Sequence, residues 1–347
     1  MKYSKPKLSL LALIGGAMMT GCTTTINMEV MKPADITIPE HLKKIVIADR
    51  TFPEKDNKVV NVLEGLFTGE GLFSDRMGAE ECLQGLRQSM TSTDRFSAII
   101  PGGLDLRGTG TAKMPDPLPW DTVVKICDQN QADGLIVLEA FDSDCSVFFK
   151  TKSTTSKDGQ GKEVVVNEVA GNMDIDVVTG WRFYDAQKRI IADSYEWTDH
   201  QGYTGQGPSE KEAVKKLPGK RDAIMRTGTH AGNSYGVRIS PQWVNVTRMY
   251  FTSGNDQFKK AARLARVKDW NGAAEIWKKE AYGADKKLAG RACYNMALAS
   301  EVNGNLDAAA EWANKSYKEH GNKKAPAYIA ILYHRIEDQK RLDRQMK

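Results

Sequence analysis

Usable metal and nucleophile chemistry is what this sequence most conspicuously lacks. It has five histidines and five cysteines in 347 residues. No Cys-x-x-Cys occurs, and no Cys/His pair has the spacing of a metal-ligand set, which argues against a structural zinc site. GxSxG, HExxH and GxxxxGK[ST] are missing too, and neither "GTGTAK" nor "GQGPSEKE" extends its GxG into a phosphate-binding loop after a strand. Nowhere do ~20 apolar residues run together, so no segment reads as a membrane-spanning helix. A concentrated basic block is also lacking, and nucleic acid is not an expected partner. Lys and Arg (49) nearly balance Asp and Glu (44), and three of the lysines precede Cys22. What is there, 41% hydrophobic and 27% charged residues, is the composition of a globular chain long enough for two domains.

The first 21 residues stand apart. Lys2, Lys5 and Lys7 lead into a short apolar run from Leu8 to Met19, the pattern of an export signal. The segment Met19-Thr20-Gly21-Cys22 resembles the lipobox of bacterial lipoproteins, with methionine at the usual leucine position. The resemblance implies removal of residues 1–21, a thioether-linked diacylglycerol on Cys22 and acylation of the new terminus. Several acyl chains make a durable anchor where one does not. Residues 23–28 carry no acidic cluster, which favours an outer-membrane site facing the periplasm. The alternative is a plain secretory signal with an incidental cysteine.

Residues 22–40, with Pro33 and Pro39, read as an extended tether. "KKIVIADR" predicts a first strand, and Met77 to Met90 a helix with Cys82, Leu83, Leu86 and Met90 on one face. "FSAII", a helix from Trp120 to Gln131, and "ADGLIVLEAFDSD" complete a β-α-β-α-β order, which predicts a sheet with helical crossovers. Two hairpins are expected next, "SVFFKTK" with "KEVVVNEV" and "MDIDVVTGWRFYD" with "RIIADSYEW". Lys150, Lys152, Glu163 and Glu168 interrupt any lipid-facing band, so a membrane pore is not expected. Ser209 and Glu212 form a capping box. Gly228, Gly232 and Gly236 recur every four residues between Lys220 and Ile239, so that helix should approach a sheet or another helix closely. "SPQWVNVTRMYF" predicts a strand ending the domain.

From about Asn255 the chain turns to alanine-rich helices. "DWNGAAEIWKK" and "NLDAAAEWANKSYK" repeat one phrase, with Ala273 and Ala309 in register. The period is close to that of the tetratricopeptide repeat, which residues 255–320 resemble. Gly304-Asn305 matches that family's turn, whereas Lys268-Asp269 lacks its glycine. "APAYIAILYHRI" predicts a capping helix. By the same resemblance Arg291, Tyr294, Leu298 and Glu301 would line a groove for a partner protein. The alternative is that they form a seam against the α/β domain, because two repeats and a cap cannot bury their own apolar face. Trp270, Trp277 and Trp312 are then the expected glue.

Asp142 with Asp144, and Asp174 with Asp176, share strand faces and could act as an acid–base pair or hold a cation, although alternating solvated strands give the same pattern. Cys82, Cys127, Cys145 and Cys293 allow three full pairings, and buried free thiols fit their apolar neighbours better. The lipobox, "ITIPEHLKKIVIADR", "GAEECLQGL", "WDTVVKIC", "ADGLIVLEAFDSD", "GWRFYDAQKRIIADS" and "RISPQWVNVTRMYF" together resemble an uncharacterised, domain-of-unknown-function family of bacterial lipoproteins. More loosely, "ADGLIVLEAF" and "GWRFYDAQKRIIADS" are similar to the sheet of curli-secretion lipoproteins and of lipoprotein activators of cell-wall synthases.

The expected architecture is a signal peptide (1–21), a tether (22–40), an α/β domain (41–253) with a mixed sheet and helices on one side, and a tetratricopeptide-like all-α unit (254–347). The expected function is protein binding or assembly at the envelope, without catalytic residues, cofactor or metal. Alternatives are a subunit of a secretion or assembly ring and an envelope hydrolase.

Overall fold

The computed structural model describes residues 23–52, 70–157 and 159–347. It is a mixed α+β structure followed by a C-terminal run of helices. Two compact units divide it: Val30–Val244 with Glu337–Lys347, and Asn245–Ile336 with the residues through Glu29.

In the α+β unit five strands take the order β3-β2-β4-β5-β6. Strand β2 (Lys44–Asp49) pairs in parallel with β3 (Ser97–Ile99) and β4 (Gly134–Lys157). Strands β5 (Glu163–Asp185) and β6 (Ile190–Gly207) continue as an antiparallel meander. The crossovers between the parallel strands carry α1 (Glu70–Met90) and α2 (Trp120–Asn130). Strand alternation explains the layers. Ile45, Ile47, Ile136, Leu138, Trp181 and Phe183 meet α1 and α4 (Lys220–Ile239) on one face. Val46, Ala48, Leu135, Val137 and Tyr184 meet α2 on the other. The mixed sheet is as expected, but its helices cover both faces rather than one.

Two expected strand breaks are absent. "ADGLIVLEAFDSD" and "SVFFKTK" form one strand of 24 residues, and its partner β5 is continuous over 23. Charges at Asp142, Asp144 and Lys150 read as interruptions only if the strand is buried. Here they take exposed positions of a long ribbon. Past the Val169–Gly207 pair β6 ends and β4 and β5 run on together to Lys157 and Glu163.

The tether is the largest correction. Thr23–Lys32 is strand β1, hydrogen-bonded to β7 (Gln242–Phe251). Ala34, Ile38 and Leu42 are buried, so an alternating apolar pattern interrupted by prolines reads wrongly as linker. A short helix α3 (Glu210–Val214) starts at Ser209, whose hydroxyl accepts the Glu212 N–H as the capping box requires. Helix α4 packs on α1 through its glycines. A methyl at Gly228 would strike the Gly78 carbonyl oxygen, and one at Gly232 the Cys82 carbonyl oxygen, so the two backbones are in contact.

The helical unit contains α5 (Asp256–Arg266), α6 (Trp270–Glu280), α7 (Lys286–Val302), α8 (Leu306–Lys318) and the first turns of α9 (Ala325–Gln345). Asn255, Asp269, Asp285 and Asn305 cap the first four of these helices. The repeat register holds, with Ala261, Ala273, Ala297 and Ala309 all fully buried. Trp270 and Trp277 are not docking glue. Both lie in this unit's own core, edge-on to Tyr250 at 5.9 and 6.2 Å. Half-buried Trp312 stacks edge-on with Tyr282. Strand β7, expected in the α/β domain, thus contributes Tyr250 and Phe251 to the helical core.

Candidate functional site

The expected partner groove comes first. Arg291, Tyr294, Leu298 and Glu301 do share one face of α7, but that face is closed. Leu298 is fully buried, Glu301 is 2% exposed and Tyr294 6%. The Tyr294 ring meets Phe251 edge-on at 5.4 Å and Tyr328 of α9 at 5.0 Å. Half-buried Arg291 donates to the Ser253 carbonyl at 2.9 Å. These residues form neither an open groove nor a seam against the α/β domain: they pack inside the helical unit, against β7 and α9. Residues that sequence reasoning missed complete this packing. The Glu301 carboxylate accepts from Arg248 at 3.0 Å, Arg335 at 2.6 Å and the Tyr328 hydroxyl at 2.6 Å. Burial opposes its ionisation, yet those three donors together hold its carboxyl below the ordinary range. The only signal was a lone acid in an apolar stripe. Cys22 and the expected signal peptide, residues 1–21, lie outside the described residues.

Open α/β sheets bind ligands beyond the carboxyl ends of their parallel strands. Here that end is filled by the chain itself. Glu139, fully buried at the β-bulge in β4, accepts from Arg50 at 2.9 Å and from the Tyr184 hydroxyl at 2.6 Å. Arg50 also donates to the carbonyls of Arg107 and Asp116, and Arg182 to that of Pro115. The proline-rich loop is thereby pinned over the strand ends. Burial first, then the Glu139 carboxylate, push the Tyr184 phenol far up, so it stays a donor.

The acidic pairs converge on one exposed face. Asp144 lies opposite Asp176, and Asp176 opposite His200, across three adjacent strands. His200 Nδ1 bonds the Asp176 carboxylate at 2.8 Å, and that bond raises the imidazole pKa above its ordinary value. The adjacent Asp199 points to the opposite face, where its carboxylate takes bonds from His230 and Ser234, each at 2.9 Å. The serine and histidine bind the acid rather than each other, which is not a nucleophile relay. Among the described residues no group of three or more His, Cys, Asp or Glu is placed to hold a metal ion. All four cysteines among the described residues are free thiols. Burial pushes Cys127 up to about 12 and Cys293 up to about 11, which keeps them protonated and unreactive.

Among the described residues strand β6 forms an edge of the sheet. Four rings stack from the core towards this edge. Trp181 lies on Tyr235 at 4.8 Å, Tyr235 near Tyr195 at 6.1 Å, and Tyr195 on Trp197 at 6.0 Å. Trp181 is fully buried, whereas Trp197 is 52% exposed. Arg238 lies 4.3 Å over Tyr195 while its guanidinium holds Asp193 with two bonds. An exposed indole is therefore held rigidly on a strand that, among the described residues, is an edge of the sheet.

The family described as a domain of unknown function, DUF8603, matches residues 42–251. The chain belongs to this family. All elements from β2 to β7 fall in the DUF8603 match, including the edge strand and the carboxylate face. A second domain of unknown function, DUF6340, matches residues 259–338, across the helical run. Among solved structures the chain is similar to a neuraminyllactose-binding hemagglutinin homologue from Helicobacter pylori. The likeness has 10% identity and a TM-score of 0.22, and covers 58% of this chain and 87% of the other. No curated protein matches the chain.

Proposed function

We propose that this member of the DUF8603 family is a lipid-anchored protein of the bacterial envelope, facing the periplasm at the outer membrane, and that it binds another protein rather than catalysing a reaction. The leader and the Cys22 motif support the anchor, and no helix among the described residues is long and apolar enough to cross a membrane. The observation that carries the binding reading is Trp197 on edge strand β6. Exposed Trp and Arg on a pre-organised support are the residues that dominate interfaces, and an edge strand offers hydrogen bonds to an extended segment. The binding surface is thus the sheet edge, since the repeat face is closed.

Site-specific photo-crosslinking in living cells from exposed Glu196, the residue before Trp197 on the edge strand, tests this. One dominant partner is expected, lost when Trp197→Ala is added, with buried Tyr294 as a silent reference position. No capture at 196 overturns the site, and capture of a second copy of this chain moves the function to ring or filament assembly. Cys22→Ser is expected to release the protein from the membrane fraction, and a bound, uncleaved product overturns the anchor. The hydrolase reading rests on Asp142 and Asp144. Alanine at both is expected to leave every envelope phenotype intact.

A further inference from the structure

The helical unit holds a cleft of about 440 Å³ between the start of α7 and the turn joining α8 to α9. Lys286, Lys287, Arg291, Lys323 and Lys324 line it, and no carboxylate does. The charge is not a general property of the chain. Residues 23–29 and 245–336 hold sixteen Lys and Arg against ten Asp and Glu, while the rest of the chain after Cys22 is acid-rich. Crowding five cations around one hollow costs Coulomb energy that an anion would relieve.

The cleft is also built. Phe251 forms a buried wall, with the Arg291 guanidinium 5.2 Å from its ring centre. One bond from Arg291 to the Ser253 carbonyl fixes the planar head, and its fork has five donors in all. Gly321 adopts the left-handed conformation at φ 65°, and the Asn322 amide ties the turn to the Gly290 carbonyl and the Ser316 hydroxyl. Lys323 and Lys324 are thus presented by a locked turn. His320 is the second, independent sign. Both ring nitrogens are buried without a hydrogen-bond partner, and the closest carboxylate, Glu319, is 4.0 Å away. Buried polar atoms are rarely left unpaired unless something absent pairs them. A methyl at Gly290 would press on the His320 Cβ, so the glycine lets the turn pack closely on α7. Asp285 already caps α7 by accepting the Lys287 and Leu288 N–H groups. The attraction therefore comes from the side chains and not from the helix end.

We infer that this cleft binds a phosphate-bearing anion, carried by a soluble molecule or by a lipid headgroup. Arg291 supplies the planar fork and the lysines supply charge. The site is separate from the β6 edge, so it stands or falls independently of the partner-binding reading.

The full chain in neutral detergent is titrated by calorimetry with inorganic phosphate, and separately with mixed micelles of that detergent and short-chain phosphatidylglycerol. Saturable one-to-one binding of at least one probe is expected, weakening as salt rises. Arg291→Gln is expected to weaken it about tenfold, equivalent to ~1.4 kcal/mol. The pair Lys286→Gln with Lys323→Gln, both on exposed side chains, does the same without touching the core. Lys278→Gln with Lys279→Gln, outside the lining, leaves it unchanged. Binding of phosphate alone assigns a soluble ligand, and binding of the lipid alone assigns a headgroup. No binding of either probe overturns the inference, as does equal loss in the Lys278 and Lys279 control.

Discussion

Lys268 occupies a backbone conformation that L-residues avoid, with φ 64°, at the turn where the second repeat places Gly304 with φ 77°. The missing glycine noticed in the sequence is thus a real local strain, of the order of 1 kcal/mol. Lys268→Gly is expected to stabilise the helical unit by ~0.5–1 kcal/mol, read as a rise in thermal midpoint. Glu301 illustrates the opposite case, a residue whose role sequence could not show. Its partners Arg248, Tyr328 and Arg335 lie 27 to 53 residues away, and only folding brings them together. Its folded carboxyl titrates below the ordinary value of 4.5. The stability it contributes is present above that value and disappears as pH falls through the lower, folded one. Acid unfolding of the helical unit should therefore be shallower in Glu301→Gln than in the parent. Arg248→Met, which strips the buried carboxylate of a cation, is expected to cost roughly 3 kcal/mol at neutral pH, measured by denaturant unfolding.

At the scale of elements, the patterns that read correctly were those set by local chemistry. Four-residue glycine spacing on α4 meant close packing, because nothing else rewards three glycines in one helix. Gly232→Ala forces Cβ onto the Cys82 carbonyl. Overpacking costs of this kind run to ~3 kcal/mol, and the variant should unfold at correspondingly lower denaturant. β-branched runs likewise marked β2 and β4. What failed was length and pairing. Strand β1 looked like a linker because its polar threonines and following prolines are local signals, whereas its partner β7 lies more than two hundred residues on. The ribbon beyond Val169 looked broken because its charges mean exposure, not interruption. Two strands exposed on both faces are marginal alone, which gives the tip of β4 and β5 little stability of its own.

For the whole molecule, the compact units do not follow the order of the chain. A fragment of residues 254–347, the helical domain as the sequence divides it, lacks Tyr250 and Phe251 from its core and Arg248 from Glu301. Such a fragment is expected to show helical circular dichroism but poorly dispersed NMR resonances. A chain stopped at Ile336 should lose stability in the α+β unit instead. There the Gln345 amide holds the buried backbone of Ala34 at 2.8 Å, and Arg341 bonds the same residue's carbonyl.

The pairing of β1 with β7 also sets a timetable. The side chains of Asn27 and Thr247 meet across 220 positions, and Ala34 meets Gln345 across 311. Neither unit can close until both of its distant segments have been made. Contacts of such long range fold slowly. Each unit therefore stays open through most of its own synthesis and closes only when its two distant segments meet.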